Sequence, residues 1–356
     1  AAATAVFRYT VSDMHTLFLE PQQIGEAAGV IRRGGLLVFP TETVYGLGAN
    51  AWDAEACRAI FAAKGRPADN PLIVHIATPA MLGEVAGAVP EPARQLFDAF
   101  APGPLTIILP RSSRIPDVVT AGLDTVGVRI PSHPVARRFL KAVGGPVAAP
   151  SANRSGRPSP TDFAAAVAQM QGRVDAILDG GECEHGLEST ILRVSGGSVT
   201  VLREGAITRE MIAGVLGDVP IGASADTGAA SGAETAGGAG VPRRAHRRPA
   251  EAPGMRHAHY RPEARVVTAA ATELPATLRR LEGSRVGYIG VTPLLGEYTT
   301  KPAVSVLASD LEDYARRLYR SFYLFDAEGC EVIVAELPVS SGIGRALRDR
   351  LRRAAG

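Results

Sequence analysis

Val38-Phe39-Pro40-Thr41-Glu42-Thr43-Val44-Tyr45-Gly46-Leu47-Gly48, followed one helix later by Lys64-Gly65-Arg66-Pro67-Ala68-Asp69-Asn70-Pro71-Leu72-Ile73-Val74-His75, decides how this chain is to be read. The apolar run from Leu36 to Phe39 is a short buried strand, and it stops at Pro40. Hydroxyls and a carboxylate follow at once (Thr41, Glu42, Thr43), then Gly46 and Gly48. In the second piece Lys64 and Arg66 stand on a loop stiffened by Pro67 and Pro71. Two cations on a constrained loop converge on a polyanion with little chain entropy left to lose. A bare Lys-x-Arg is more often a solvated turn. The polar, Pro- and Gly-rich surroundings favour the binding reading here.

Working outward, Ile24, Ala27, Ala28 and Ile31 share one face of a helix expected over 21–33, stopped by Gly34-Gly35. Asp53 is the expected cap of a helix through Ala63. Residues 72–76 form a second expected strand, with His75 near its end. Helical patterns follow around 79–87 and 91–100, and Pro102-Gly103-Pro104 breaks the chain before a strand over 105–109. Residues 126–130 alternate as a strand, with Arg129 facing away from Val128 and Ile130. Ser132 is the expected cap of a helix over 133–143. A strand over 146–149 then enters Pro150-Ser151-Ala152-Asn153-Arg154-Ser155-Gly156-Arg157-Pro158-Ser159-Pro160-Thr161, a second proline-fixed polar loop. A helix over 162–170 and a strand over 176–178 follow. Gly186-Leu187-Glu188-Ser189-Thr190 leads into strands over 191–194 and 199–202 around a turn at Gly196-Gly197, and a helix over 208–216 closes the unit. Strands and helices intermix without strict alternation, which predicts an α/β fold with a twisted mixed sheet and helices packed on it. The polar loops after the strand ends are placed to form one concave site.

Residues 222–252 are rich in Ala, Gly, Ser and Thr and read as a linker that cannot bury enough surface to order itself. Its Arg243, Arg244, Arg247 and Arg248 read as a solvated arm before an RNA-contacting patch. Ala252-Pro253-Gly254-Met255-Arg256-His257-Ala258-His259-Tyr260-Arg261-Pro262 is different in kind, gathering His, Arg, Met and Tyr. His-x-His alone is weak evidence for a metal, and a lid over a ligand site is the expectation for 253–262. Residues 263–356 read as a small α/β unit with strands over 285–289 and 331–335. Asp310 caps a helix whose Leu311, Tyr314, Leu318, Tyr319, Phe322 and Phe325 make a core stripe. The last helix has Ile343, Leu347 and Leu351 inside and arginines outside, and no catalytic constellation is expected in this part. The expected division is 1–221, a linker over 222–262, and 263–356.

The 356 residues carry a formal net charge of +2, which argues against a general nucleic-acid binder. The three cysteines lie far apart and form no Cys-x-x-Cys pair, so neither a disulfide framework nor a zinc ribbon is indicated. No apolar run is long enough for a membrane span and no signal peptide is evident, so a cytoplasmic protein is expected. Gly-x-x-x-x-Gly-Lys-Ser/Thr, Gly-x-Gly-x-x-Gly at a strand-to-helix turn and Gly-x-Ser-x-Gly are all absent. What remains is a set of dispersed cations (Lys64, Arg66, Arg129, Arg203) and hydroxyls (Thr41, Thr43, Ser151, Ser159, Ser189). That inventory fits catalysis by positioning and charge neutralisation, as in phosphoryl or nucleotidyl transfer.

The stretches Phe39–Gly48, Lys64–Leu72, Pro150-Ser151-Ala152-Asn153 with Ser155-Gly156, and Gly186–Thr190, taken in this order, resemble the YrdC/Sua5 family. The Lys-x-Arg and Ser-x-Asn pairs are its hallmark. Pro253–Pro262 and Gly342–Arg353 resemble the long two-domain Sua5 form, and only 222–252 departs, being longer and more Ala/Gly-rich. The resemblance implies a YrdC-like twisted mixed sheet around a cationic cavity, plus a small C-terminal Rossmann-like Sua5 domain. It implies a threonylcarbamoyl-AMP synthase that converts L-threonine, bicarbonate and ATP, with Mg2+, to threonylcarbamoyl-adenylate and pyrophosphate. A separate tRNA threonylcarbamoyl transferase would act downstream, and contact with tRNA itself is conceivable. Position by position, it implies ATP contacts at Lys64, Arg66, Asn70, Thr125, Ser151, Asn153, Ser159, Arg203 and Tyr260, with Lys64 and Arg66 catalytic. Threonine contacts would fall on Thr43, His75, Arg129, Ala149 (through its backbone) and Ser189, and no resident metal is implied. Arg129 would pair the threonine carboxylate, because a guanidinium fork matches it. The rival readings are a double-stranded RNA-binding module, which the near-neutral charge and enclosed loops disfavour, and a carbamoyl-transfer maturation factor, whose zinc-finger cysteines and acylphosphatase-like segment are missing.

Overall fold

The structure is a computed structural model and describes residues 15–223, 252–253, 259–294 and 302–356. The linker arginines 243–248 and Met255, Arg256 and His257 of the expected lid lie outside the described residues.

The first unit runs β1 (Leu17–Leu19), α1 (Ile24–Arg32), β2 (Leu37–Phe39), β3 (Gly46–Asn50), α2 (Ala54–Lys64) and β4 (Ile73–His75). It continues through α3 (Leu82–Val85), α4 (Glu91–Phe100), β5 (Leu105–Pro110), α5 (Asp117–Thr120), β6 (Thr125–Arg129), α6 (Pro134–Val143) and β7 (Val147–Ala149). It ends with α7 (Phe163–Met170), β8 (Ala176–Leu178), β9 (Thr190–Ser195), β10 (Ser198–Arg203), α8 (Arg209–Leu216) and β11 (Ile221–Ala223). These strands form one mixed sheet in the order β1-β8-β2-β3-β7-β4-β6-β5-β9-β10-β11. Alternation along β2 sends Leu37 and Phe39 to the face covered by α1 and α6, where they pack with Ile31, Phe139 and Leu140. Val38 points to the opposite face, into the larger core with Leu47, Ile60, Val74, Ile107 and Val128.

Two local devices aim the first functional loop. Asp53 Oδ1 accepts the backbone N–H groups of Glu55 and Ala56, starting α2 as expected. Gly65 ends it in a left-handed turn (φ 61°), which favours glycine. Lys64 therefore lies in the last helical turn and Arg66 just beyond it. Strand β3 was not expected, because Gly46 and Gly48 carry no strand signal. Their reason is steric: a Cβ on Gly48 would lie 2.8 Å from Val147 and 3.0 Å from the Phe39 ring. A second difference concerns Ser132. Helix α6 begins at Pro134, with His133 at the N-cap position and no side-chain cap. Proline at the first helical position supplies the φ and has no N–H to satisfy, so no serine is needed.

The second unit is β12 (Arg265–Ala269), α9 (Leu274–Arg280), β13 (Val286–Gly290), β14 (Val304–Leu307), α10 (Leu311–Ala327), β15 (Val332–Glu336) and α11 (Gly344–Ala355). Its sheet, ordered β12-β15-β13-β14, is parallel throughout. Asp310 caps α10 through the Asp313 N–H, and Tyr314, Leu318, Tyr319, Phe322 and Phe325 are buried as expected. The arginines of α11 are not all outside: the Arg350 side chain is 0% exposed. The two units meet through polar side chains, including Arg345 with Glu210 and Arg157 with Asp326. No helix among the described residues is long and apolar enough to cross a membrane.

Candidate active site

Sheet register does most of the assembly. Parallel pairing of β4 with β6 sets His75 beside Arg129. Antiparallel pairing of β5 with β6 sets Thr106 against Arg129 on the other side. Parallel pairing of β5 with β9 places Thr190 beside Leu105, so Ser189 stands at the same sheet end. Antiparallel pairing of β4 with β7 brings Ala149 opposite Ile73, and the Ser151–Asn153 loop follows directly. The cavity at this end is lined by one group of residues, Thr43, His75, Arg129, Ala149 and Ser189, and by a second, more cationic group, Arg66, Ser151, Asn153 and Arg203, with Glu188, Pro253, His259 and Tyr260 completing the lining.

The first group is built to read a small polar molecule. Arg129 Nη2 donates to Glu42 Oε1 at 2.7 Å, with both side chains almost fully buried. Arg129 Nε and Glu42 Oε2 have no hydrogen-bond partner. Burial alone would push the Glu42 carboxyl up, but the Arg129 cation outweighs it and holds the carboxyl below its ordinary value. His75 Nδ1 lies 3.2 Å from the Ile73 carbonyl. Burial first, and the Arg129 cation second, bring His75 down to about 3, so its imidazole is neutral at physiological pH. Thr41 Oγ1 donates to the Val44 carbonyl at 2.6 Å, so in the Thr41–Thr43 hydroxyl pair (2.9 Å) Thr43 is the donor. The lone pairs of Thr43 are then left for a ligand. Ser189 Oγ pairs with Thr106 Oγ1 at 2.8 Å and accepts from Arg203 Nη2 at 3.1 Å.

The second group is cationic and rigid. The Arg66 guanidinium donates to the Asn70 and Pro71 carbonyls, which fold its loop around it. Burial brings Arg66 down to about 10, which leaves it a cation at neutral pH. Ser151 Oγ donates to Asn153 Oδ1 at 2.5 Å, and Asn153 Nδ2 donates to the carbonyls of Arg154 and Arg157 at 2.8 Å. Arg203 Nε donates to the Ser189 carbonyl at 3.0 Å, joining the two groups.

Four residues expected at the site do not line the cavity. Lys64 is buried beneath the Ser-x-Asn loop, donating to the Ser151 carbonyl at 2.5 Å and to the Asn153 carbonyl. Burial, then Arg66, lowers it well below an ordinary lysine. Asn70 holds Arg66 through its backbone while its side chain is buried. Ser159 is fully buried and donates to Glu188 Oε1 at 2.7 Å. Thr125 begins β6, four residues before Arg129, roughly 13 Å away along the strand at about 3.3 Å per residue. Conversely, Glu42, Thr106, Glu188 and Arg350 belong to the site or its frame and were not singled out. Glu42 and Glu188 stand inside the quoted motifs, but their partners are 87 and 162 residues away.

Comparison with known proteins agrees with this geometry. A family model for Sua5, YciO and YrdC, described as "Telomere recombination", matches residues 29–205. A second, described as the threonylcarbamoyl-AMP synthase C-terminal domain, matches residues 207–356. The threonylcarbamoyl-AMP synthase of Pyrococcus abyssi is 41% identical over 95% of this chain and 95% of its own. That of Bacillus subtilis is 38% identical over 98% and 97%. The crystal structure of P. abyssi Sua5 complexed with L-threonine superposes with a TM-score of 0.83, at 39% identity, covering 96% of this chain and 97% of that one.

Proposed function

The chain belongs to the Sua5 family of threonylcarbamoyl-AMP synthases, enzymes of the nucleotidyltransferase type, and we propose that its cavity joins L-threonine, bicarbonate and ATP. The products are threonylcarbamoyl-adenylate, pyrophosphate and water. The observation that supports this reading is one cavity lined both by a buried Arg129 with an unpartnered Nε and the hydroxyls of Thr43 and Ser189, and by the cations of Arg66 and Arg203.

Arg129 receives the threonine carboxylate, since one of its donors is already committed to Glu42 and another is waiting. Thr43 and Ser189 take the threonine hydroxyl and amine. A neutral His75 and the Arg129 cation both favour an uncharged amine, the form that attacks carbon. The amine forms the N–C bond to bicarbonate and water leaves, giving a carbamate. A carbamate oxygen then attacks the α-phosphorus of ATP, and the bond to the pyrophosphate oxygen breaks. Arg66 and Arg203 neutralise the charge that builds on the leaving pyrophosphate, and Ser151 and Asn153 orient the phosphates. Lys64 acts from beneath by fixing the Ser151–Asn153 backbone.

Magnesium enters as part of the ATP substrate, held by phosphate oxygens. The two carboxylates of the site are engaged, Glu42 by Arg129 and Glu188 by Ser159 and Arg350, and no cluster of three or more metal-ligating side chains occurs among the described residues. Tyr260 and its neighbours close the cavity and keep water from the reactive adenylate. The adenylate, a mixed anhydride, is then consumed by a separate transferase that modifies tRNA. Pyrophosphate release is the test. It is expected only when threonine, bicarbonate and ATP are all present, and release independent of threonine and bicarbonate overturns the reading.

A further inference from the structure

The C-terminal unit reaches the cavity from behind with a single guanidinium. Arg350 Nε donates to Glu188 Oε2 at 2.9 Å, Nη2 donates to the Glu204 carbonyl at 3.0 Å, and Nη1 pairs with Asp349 at 2.7 Å. Glu188 is itself part of the cavity wall and immediately precedes Ser189. Glu204 immediately follows Arg203. One buried side chain therefore grips the two chain segments that present Ser189 to the amino acid and Arg203 to the phosphates. The same guanidinium lies 5.5 Å from the centre of the Tyr260 ring, which stacks on Tyr319 at 5.4 Å. Tyr319 donates to Glu188 as well, at 3.1 Å.

We propose that Arg350 is a positioning residue for the adenylation step, holding Glu188 so that the Arg203 guanidinium keeps its place on Ser189 in the cavity wall, where it meets the triphosphate; the proposal rests on the function argued above. Glu188 is ionised. Burial would raise its carboxyl, but the cations of Arg350 and then Arg203 bring it down to about 2. A buried carboxylate keeps a cation wherever one is in reach. With Arg350 gone, the remaining cation acting on Glu188 is Arg203, which then turns toward the carboxylate and away from its ligand. A residue that merely docks the two units has no such effect. Arg345, which joins them through Glu210 without lining the cavity, is the control.

The experiment measures pyrophosphate release against ATP and threonine for Arg350→Met, Arg350→Lys, Glu188→Gln with Arg350→Met, and Arg345→Ala, with melting temperatures for all. Wild-type protein showing threonine- and bicarbonate-dependent release establishes the reaction first, and its failure overturns the parent reading and this one together. Arg350→Met is expected to lose about 10²- to 10³-fold in kcat/KM for ATP, the loss seen when one charge-stabilising donor is misplaced. Arg350→Lys keeps the charge without the fork, so it should lower kcat at nearly unchanged melting temperature, and this holds even where the methionine variant fails to fold. The double variant is the decisive one: a neutral amide no longer draws Arg203 away, so at least tenfold of the lost activity should return. Arg345→Ala should match wild type in activity. Wild-type kinetics in both Arg350 variants, or a double variant no more active than Arg350→Met at equal stability, overturns the positioning role.

Discussion

Replacing Arg129 with methionine tests the amino-acid site through two independent readouts. In the wild-type protein Arg129 and Glu42 form a buried ion pair at 2.7 Å, with side-chain exposures of 5% and 1%. Removing one partner of such a pair costs about 3–5 kcal/mol, because the other is left buried and uncompensated. The stranded Glu42 can relieve this only by taking a proton. Its folded pKa, now held below the ordinary carboxylate value by Arg129 against burial, then rises above that value. The sign of the pH dependence follows. In the wild type the depressed pKa contributes stability that is present above the unfolded value and lost only as pH falls through the folded one. In the variant the folded state binds the extra proton. Its stability is full below the unfolded value and falls as pH rises from there toward neutrality. Melting temperature relative to wild type should therefore decline between about pH 5 and pH 8, at up to about 1.4 kcal/mol per pH unit. Adding Glu42→Gln removes the titrating group and should abolish that decline. His75, neutral when folded because burial holds its pKa at about 3 while the unfolded imidazole titrates near its ordinary 6.5, makes both proteins less stable as pH falls below about 6.5, and this shared contribution cancels in the comparison with wild type. The kinetic readout is the threonine KM. Losing charge-assisted hydrogen bonds to the carboxylate costs about 1.5–3 kcal/mol, which is roughly 10- to 150-fold. A variant with an unchanged threonine KM would remove Arg129 from the amino-acid site, whatever its stability did. A pH-independent stability difference would refute the buried-charge argument.

Arg66→Ala should lower kcat/KM for ATP by the equivalent of about 2.7–4 kcal/mol while leaving the threonine dependence nearly intact, since its guanidinium is held in its own loop by the Asn70 and Pro71 carbonyls rather than by any bond to Arg129; steady-state pyrophosphate release checks both. Valine in place of threonine should be a far poorer substrate, because Thr43 and Ser189 would be left facing a methyl group in a buried site. Comparable adenylate formation from both amino acids would remove these hydroxyls from the recognition. Backbone hydrogen exchange over 259–262 should slow when ATP and threonine are added together, and unchanged exchange there would leave this stretch as inter-domain packing alone.

Much of the fold was legible because its signals are local. Asp53, Asp162, Thr208 and Asp310 each cap the helix expected to follow them, and the glycine pair at 196–197 turns β9 into β10. The motif loops were legible too, since prolines and hydroxyls after strand ends need no partner to be recognised. What stayed hidden was whatever depends on distant pairing. Strand β3 consists of Gly-Leu-Gly-Ala-Asn, and only the Phe39 ring across it explains the glycines. Strands β12 and β14 and helix α9 carry short or mixed patterns that acquire meaning only from their neighbours in the sheet. Arg350 was indistinguishable in sequence from the other arginines of α11, because helical periodicity places a residue on a face but does not reveal a carboxylate waiting against it. Asn70 and Lys64 show the converse: belonging to a motif does not decide whether a side chain reaches the cavity or supports one that does.

Closure of the cavity bears on how substrates enter. The free space in the cavity amounts to about 60 Å³, enough for a few waters, whereas sites for molecules of nucleotide size are typically about 300–1,000 Å³. Tyr260 is the residue placed to change this. It is one of two non-glycine residues among those described with a left-handed backbone, at φ 67°. Such a conformation costs on the order of 1–3 kcal/mol and persists only where the surroundings enforce it. Here the enforcement comes from Tyr319 stacked on the ring, Arg350 beside it, and the Arg261 N–H bonded to the Gly156 carbonyl in the Ser-x-Asn loop at 2.9 Å. The contacts that hold Tyr260 in place are thus made to residues that themselves bind Glu188 or belong to the loop that carries Ser151 and Asn153. Displacing Tyr260 to widen this space is therefore expected to disturb Arg350 and that loop together, because both hold it or its neighbour in place.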